Sequence, residues 1–288
     1  MIAVQTPVPT SASAQPSSAK EDVRAFWDEA SCGEALYLAG QTAADYDRQA
    51  KARYHLEPYI KEFARFGDAQ GRRVLEIGVG LGADHEQFAR SGALLSGVDL
   101  TDRAIANTRQ RLAVFELQSN LQVGDAEALP FSDATFDMVY SWGVIHHSPD
   151  TPTAADEILR VLAPGGRFAV MIYHRYSMVG YMLWFRYALL KLRPFQSLDD
   201  IYSQYLESPG TKAYSLAEAK ALFARAERVE ARTVLTHGDL LEGQAGQRHT
   251  GWMLNVARRL WPRRLIKTLF PTHGLFLLVE GYKPVVGK

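Results

Sequence analysis

The chain has 288 residues, and its 32 basic and 32 acidic side chains give a formal net charge of zero at pH 7. This balance argues against nucleic acid as the main partner, because proteins that bind a phosphate backbone usually carry a basic excess. Apolar residues make up 47% and charged residues 22% of the chain, which is typical of a globular domain. The single cysteine excludes an intrachain disulfide and a sulfur-based metal site, which fits a reducing cytoplasm.

The N-terminal part predicts a tail followed by helices. Residues 1–20 are rich in Ser, Ala and Pro and lack the basic and apolar regions of a signal peptide, so they predict a disordered tail. Residues 21–70 predict a helical lead-in, since the apolar residues between Tyr59 and Phe66 recur at helix spacing. We expect this segment to act as a lid, with Trp27 as a candidate substrate contact.

Residues 71–288 predict one α/β domain. Short apolar runs rich in Val, Ile and Leu predict buried strands at 73–77, 94–98, 121–123, 138–141 and 168–173, with later candidates at 229–235 and 274–281. Helix candidates at 83–90, 102–114 and 153–162 alternate with the earlier strands. Alternation indicates a doubly wound, Rossmann-like parallel sheet that binds ligands beyond the carboxyl ends of its strands.

Two insertions interrupt this alternation, at about 175–214 and 237–273. We expect both to fold over the strand ends and to cap the site. The first insertion is rich in aromatic residues, which suits an aromatic or amphipathic substrate. The candidate substrate contacts in this part of the chain are His174, Tyr181, Tyr214 and Arg248.

The loops after the first three strands carry the densest chemistry. Gly78, Gly80 and Gly82 follow the first strand with the spacing G-x-G-x-G, whereas the dinucleotide fingerprint has its third glycine one position later. This spacing favours a nucleoside without a pyrophosphate. Asp99 ends the second strand, where a carboxylate can accept hydrogen bonds from ribose hydroxyls. Asp125 follows the third strand and is placed to accept an adenine amino proton.

The motifs VLEIGVGLG, GVDLT, GDAEALPF, FDMVYSWGVIHH and EILRVLAPGG follow one another between about residues 70 and 175. In this order they resemble the motifs of class I S-adenosylmethionine-dependent methyltransferases of the UbiE-like, type 11 kind. The resemblance implies methyl transfer, S-adenosylmethionine as cofactor, and seven strands of which the last is antiparallel. It assigns the methionine part to Glu76, Gly78 and Gly80, the ribose to Asp99 with Leu100, the adenine to Asp125 with Ala126, and the flank of the cofactor to Ser141 and Trp142.

His146 and His147, after the fourth strand, are the candidate catalytic bases. Methyl transfer from a sulfonium releases a neutral leaving group, so alignment matters most and contributes roughly 7–11 kcal/mol. A base adds about 10²- to 10⁴-fold only when the acceptor loses a proton. Adjacent residues do not both point inward, so we expect one histidine to be structural. We expect no metal, because no third ligand stands nearby at a recognisable spacing.

Several other functions stay open. An NAD-dependent oxidoreductase shares the sheet, although the glycine spacing speaks against it. A nucleic-acid methyltransferase would by resemblance carry an N/D-P-P-Y-type motif after the fourth strand, where SWGVIHH stands. An enzyme acting on a membrane-associated lipid or quinone would lay residues 178–190 in the interface. A noncatalytic methyltransferase-like partner is the remaining alternative. We expect a small-molecule substrate, no nucleic-acid partner and a cytoplasmic location. Membrane contact is possible but not expected.

Overall fold

The computed structural model describes residues 16–242, 259 and 261–285. Within these residues, seven strands form one sheet. The strands are β1 (Arg73–Ile77), β2 (Leu94–Asp99), β3 (Asn120–Val123), β4 (Phe136–Trp142), β5 (Leu162–Tyr173), β6 (Glu227–Val234) and β7 (Phe276–Tyr282). Their order across the sheet is β3-β2-β1-β4-β5-β7-β6.

The sheet is mostly parallel. β1 pairs in parallel with β2 and β4, β2 with β3, and β4 with β5, whereas β7 runs antiparallel to both β5 and β6. The predicted doubly wound, seven-stranded fold with an antiparallel last strand is therefore confirmed. The order of strands reverses between β1 and β4, so the carboxyl ends of these two strands open a crevice.

The helices cover both faces of the sheet and its rim. They are α1 (Pro16–Glu29), α2 (Glu34–Tyr37), α3 (Ala43–Leu56), α4 (Ile60–Ala64), α5 (Ala83–Arg90), α6 (Asp102–Val114), α7 (Thr151–Val161), α8 (Met178–Tyr187), α9 (Leu198–Tyr205), α10 (Leu216–Leu222) and α11 (Arg263–Leu269). α1 begins at Pro16, inside the segment 1–20 that the sequence predicts as a disordered tail. None of these described helices combines the length and the apolar character needed to cross a bilayer.

Two apolar layers bury the sheet. Leu75, Val139 and Val170 point into one layer, and the alternate residues Val74 and Met138 point into the other. Because both faces of the sheet are buried, the strand sequences are continuous apolar runs and do not alternate between apolar and polar residues.

The helical lead-in is fixed to the domain through Arg111 of α6, whose side chain is fully buried. Its Nε donates to Glu86 of α5 at 2.7 Å, and its Nη1 donates to Gln49 of α3 at 2.7 Å. Further bonds go to the carbonyl oxygens of Leu81 at 3.2 Å and Tyr46 at 3.2 Å. Since a buried guanidinium is costly unless its donors are paired, these bonds hold α3 at the rim of the sheet.

Candidate functional site

The turn after β1 contains three glycines with positive φ angles, and two of them leave no room for a side chain. Gly78, Gly80 and Gly82 have φ angles of 82°, 52° and 73°. A Cβ on Gly78 would lie 2.0 Å from Cγ2 of Val144, and one on Gly82 would lie 2.9 Å from Oγ1 of Thr108. A Cβ on Gly80 would meet no atom within 4 Å, because this glycine borders a cavity. The open side of Gly80 therefore leaves room for a ligand.

The cavity lies at the carboxyl ends of the first four strands. Its lining includes all but one of the residues that the resemblance assigns to the cofactor: Glu76, Gly78, Gly80, Asp99, Leu100, Asp125, Ala126 and Trp142. The exception is Ser141, which is fully buried and outside the lining. Loops that are distant in the sequence thus converge on one space.

Asp99 joins the glycine turn to the loop after β2. Its Oδ1 accepts hydrogen bonds from the N–H of Thr101 at 3.0 Å and the hydroxyl of Thr101 at 2.9 Å, and its Oδ2 accepts from the N–H of Gly80 at 3.2 Å. Burial raises the pKa of the Asp99 carboxyl, and these three donors oppose the rise. The bonds fix the carboxylate, and Oδ2 retains acceptor capacity for a ligand hydroxyl.

Helix α1 covers the loop after β3. Nζ of Lys20 donates to Asp125 at 2.5 Å and to Glu127 at 2.7 Å. Oδ1 of Asp125 also accepts the N–H of Glu127 at 2.9 Å. Lys20 therefore anchors the N-terminal helix at the loop that the resemblance assigns to adenine.

A polarised chain of hydrogen bonds fixes the proton of Glu76. The Ser119 hydroxyl donates to the carbonyl of Leu95 at 3.0 Å, so it accepts from Nε2 of His85 at 2.8 Å. Nδ1 of the neutral His85 then accepts from Glu76, 2.8 Å away. Burial lowers the pKa of His85 to about 3, and burial next to Asp84 raises the pKa of Glu76 well above its usual range. Both effects place the proton on Glu76.

Asp84, at the start of α5, accepts hydrogen bonds from three residues in two other elements, α3 and β4. Arg53 of α3 donates to it through Nε at 3.1 Å and Nη2 at 2.7 Å, and the hydroxyls of Tyr54 and Tyr140 donate at 3.0 and 2.9 Å. Burial opposes ionisation of Asp84, but Arg53 and these hydroxyls hold its pKa below the ordinary value. Arg53 lines the cavity and supplies it with a fixed cation.

The structure separates the two candidate bases. His147 lines the cavity, whereas His146 is fully buried outside the lining. Nδ1 of His147 lies 2.8 Å from the Ser208 hydroxyl and 3.1 Å from that of Thr211. Because the Thr211 hydroxyl donates to the carbonyl of Ser208 at 2.7 Å, it can only accept from Nδ1–H of His147. The Nε2 atom of the neutral ring then carries the lone pair.

That Nε2 atom lies 3.4 Å from Oε2 of Glu207, which accepts the hydroxyl of Tyr173 at 2.6 Å. The edge of Trp27 packs on the His147 ring, with centroids 5.2 Å apart. The sequence did not reveal Glu207 as the third member of this cluster. One ligand atom each from His146, His147 and Glu207 lies within 4.8 Å of the other two. The absence of a metal stays a prediction.

The predicted substrate contacts divide into three groups. Trp27 lines the cavity, as the lid hypothesis requires. His174, Tyr181 and Tyr214 lie outside the lining: the buried His174 faces the carbonyl of Gly274 at 3.2 Å, and Tyr181 is at the surface. Arg248 lies outside the described residues.

The lead-in supplies more of the cavity wall than the sequence indicated. Besides Trp27, this wall contains Lys20, Val23, Ser31, Cys32, Gln49, Arg53 and Glu57. From the described residues of the two insertions, the lining takes Glu207. Cys32 has exposed surface, yet desolvation at its thiol raises the pKa to about 12, which disfavours the nucleophilic thiolate. Burial likewise raises the pKa of Glu57 to about 7.

Comparison with known proteins identifies the central segment. Residues 75–170 match the family model described as "Methyltransferase domain". An uncharacterized protein of Mycobacterium tuberculosis is 36% identical over 120 residues, which are 42% of this chain and 44% of that protein. A demethylmenaquinone methyltransferase of Tropheryma whipplei is 32% identical over 144 residues, 49% of this chain and 59% of that protein. The match thus spans about half the length of these relatives.

A solved structure of phosphoethanolamine N-methyltransferase 2 from Haemonchus contortus has the same fold. It aligns with a TM-score of 0.58 at 19% identity and covers 91% of this chain and 60% of that one. Together with the strand order, these findings show the fold of class I methyltransferases. The family match lies within the segment in which the motifs predict it.

Proposed function

We propose that the chain is an S-adenosylmethionine-dependent methyltransferase acting on a small molecule in the cytoplasm. The convergence of the loops after β1, β2 and β3 on one cavity carries this proposal. The residues fit an adenosyl ligand, because Gly80 leaves open space and Asp99 is fixed with acceptor capacity to spare. The names of the methyltransferase relatives support the same activity.

In this proposal the bound cofactor supplies an electrophilic methyl group, and the protein aligns an acceptor with it. Asp99 and the glycine turn hold the nucleoside end, and Trp142 bounds the cavity after β4. Helices α1 and α3, from the N-terminal part of the chain, cover the cavity and keep water from the reacting atoms. His147 is placed to receive a proton at Nε2 when the acceptor loses one.

Binding of cofactors is the first test of this proposal. We expect S-adenosylmethionine and its demethylated product to bind in isothermal titration calorimetry. We expect NADH not to bind, because the G-x-G-x-G spacing of the turn after β1 does not match the pyrophosphate-binding fingerprint. Incubation of a metabolite extract with a labelled methyl donor then identifies the acceptor through its labelled product. The proposal is wrong if neither adenosyl compound binds at millimolar concentration.

The protonated Glu76 gives a second expectation for the same titration. The resemblance places Glu76 beside the methionine part of the cofactor, whose ammonium group favours the charged carboxylate. We therefore expect binding at pH 7 to release about one proton. Heats measured in phosphate and in Tris, which differ in ionisation enthalpy, report this release. The Glu76→Gln variant should lose the difference between buffers, whereas equal heats for the unmodified protein would contradict the assignment.

A membrane-associated lipid or quinone is the second candidate acceptor. The demethylmenaquinone methyltransferase relative is named for a quinone substrate, and helix α8 exposes apolar side chains at the rim that bears the cavity. For this reason, the labelling experiment should use a metabolite extract that includes the lipid fraction. Label in a lipid-soluble product would favour this acceptor class over a water-soluble one.

A further inference from the structure

Two segments at the rim of the sheet expose large apolar side chains. One contains α8 and the turn after it, and the other contains α11. Six of their side chains are more than half exposed, and we call this set the rim face: Phe185, Leu190, Leu192, Phe195, Leu265 and Leu269. Leu192 is 90% exposed and Phe195 is 100% exposed. An apolar surface of this kind usually marks an interaction site.

The buried Asp239 holds the two segments together. Its carboxylate accepts the N–H of Val179 in α8 at 3.1 Å and the N–H of Leu275 before β7 at 2.8 Å. Its carbonyl accepts the indole N–H of Trp261 before α11 at 2.9 Å. The ring of His273 lies 6.0 Å from that of Tyr181 in α8, which brings the segments into contact. Both segments are therefore anchored to the same buried residue and meet at the start of α8.

The two segments themselves carry charges of one sign. Residues 176–197 contain three basic and no acidic residues, and residues 259–273 contain four basic and no acidic residues. Because the whole chain is neutral, the rest of the chain carries an excess of seven acidic residues. Two acidic residues near these segments form salt bridges. Asp199 pairs with Arg175 at 2.7 Å, and Glu242 pairs with Lys267 at 3.3 Å.

The rim face lies at the same edge of the sheet as the cavity. α8 follows the end of β5 at Tyr173, and α11 precedes the start of β7 at Phe276. These two residues are register partners, and both line the cavity. A partner on the rim face would therefore lie beside the site.

We infer that the rim face docks on the surface of an anionic lipid bilayer. Its apolar side chains enter the boundary between headgroups and acyl chains, while exposed basic side chains such as Arg186, Lys191 and Arg193 meet the lipid phosphates. A second copy of the chain fits this surface poorly, because a twofold interface sets the same basic face against itself. The sequence left membrane contact possible without leading us to expect it, and this inference goes beyond that prediction.

Vesicle co-sedimentation of the full chain tests this inference without any methyl donor, so its outcome is independent of the proposed activity. We expect binding to vesicles of phosphatidylcholine with phosphatidylglycerol, weak binding to phosphatidylcholine alone, and a decline with salt. A double variant, Leu192→Ser with Arg193→Glu, should bind the anionic vesicles about tenfold more weakly or worse. Phe195→Ser, at a fully exposed position, should weaken binding without touching the fold.

The matched control is Leu94→Ser with Arg72→Glu, at the amino ends of β2 and β1 on the opposite rim. Leu94 is 63% exposed, so this pair makes the same chemical changes at a comparable surface position. We expect it to bind like the unmodified protein. Equal binding to both vesicle types, equal loss in both double variants, or an oligomer in light scattering that only the rim variant dissociates would each overturn the inference.

Discussion

Replacement of Asp99 by alanine is expected to abolish measurable binding of S-adenosylmethionine. Two hydrogen bonds from ribose hydroxyls to a charged acceptor contribute about 1.5–3 kcal/mol each, so their loss weakens binding by roughly 10²- to 10⁴-fold. The variant also frees the N–H of Gly80 and both donors of Thr101, which loosens the turn that shapes the cavity. Isothermal titration calorimetry measures the loss directly.

Two further variants separate this effect from general damage. Asp99→Asn keeps one acceptor oxygen without the charge, so we expect intermediate affinity. Asp102→Ala removes a neighbouring carboxylate that is exposed and pairs with Arg24 on the surface, so it should bind the cofactor normally. Thermal unfolding of all three checks that they are folded. Affinity of Asp99→Ala within threefold of the unmodified protein would overturn the assignment of the ribose site.

Much of the fold follows from local signals in the sequence. β1 and β2 are short apolar runs buried on both faces. α6 begins at Asp102, and the side chain of its N-cap, Thr101, accepts the N–H of Ala104. The prediction of β5 began at residue 168, whereas the strand begins at Leu162. The difference arises because Pro164 and two glycines precede Arg167, and such residues usually end strands rather than extend them. Leu162 pairs with Phe136 of β4, and regular pairing with β4 and β7 runs from Arg167 onward.

The site was predictable only where its residues lie in motifs next to strand ends. Asp99 and Asp125 could be found in this way. Arg53 and Asp84 could not, since they stand 31 positions apart and meet only because Arg111 fixes α3 against α5 and α6. No local pattern distinguishes Glu207 from an ordinary surface carboxylate. The aromatic residues of the first insertion were expected to cap the site, and the sequence does not show which of them are buried elsewhere. Tyr202, for example, is buried and donates to the carbonyl of His174 at 3.0 Å instead of facing the cavity.

The second large effect is expected at His147, where substitution should lower turnover and leave cofactor binding intact. The ring is oriented before substrate arrives, because Nδ1–H is directed to the hydroxyls of Ser208 and Thr211. Its Nε2 then carries the lone pair, 3.4 Å from the Glu207 carboxylate, which stabilises the imidazolium formed after proton uptake. We expect His147→Ala to reduce turnover by about 10²- to 10⁴-fold with an acceptor that loses a proton.

Rates of label transfer to the identified acceptor, together with calorimetry of cofactor binding, measure this effect. His55→Ala, at an exposed position of α3, is the matched control and should leave the rate unchanged. Thr211→Val removes one acceptor of Nδ1–H but keeps the base, so it should cost far less than His147→Ala and should leave cofactor affinity unaltered. A rate for His147→Ala within threefold of the unmodified protein would mean that alignment alone carries the reaction, because the acceptor then needs no base.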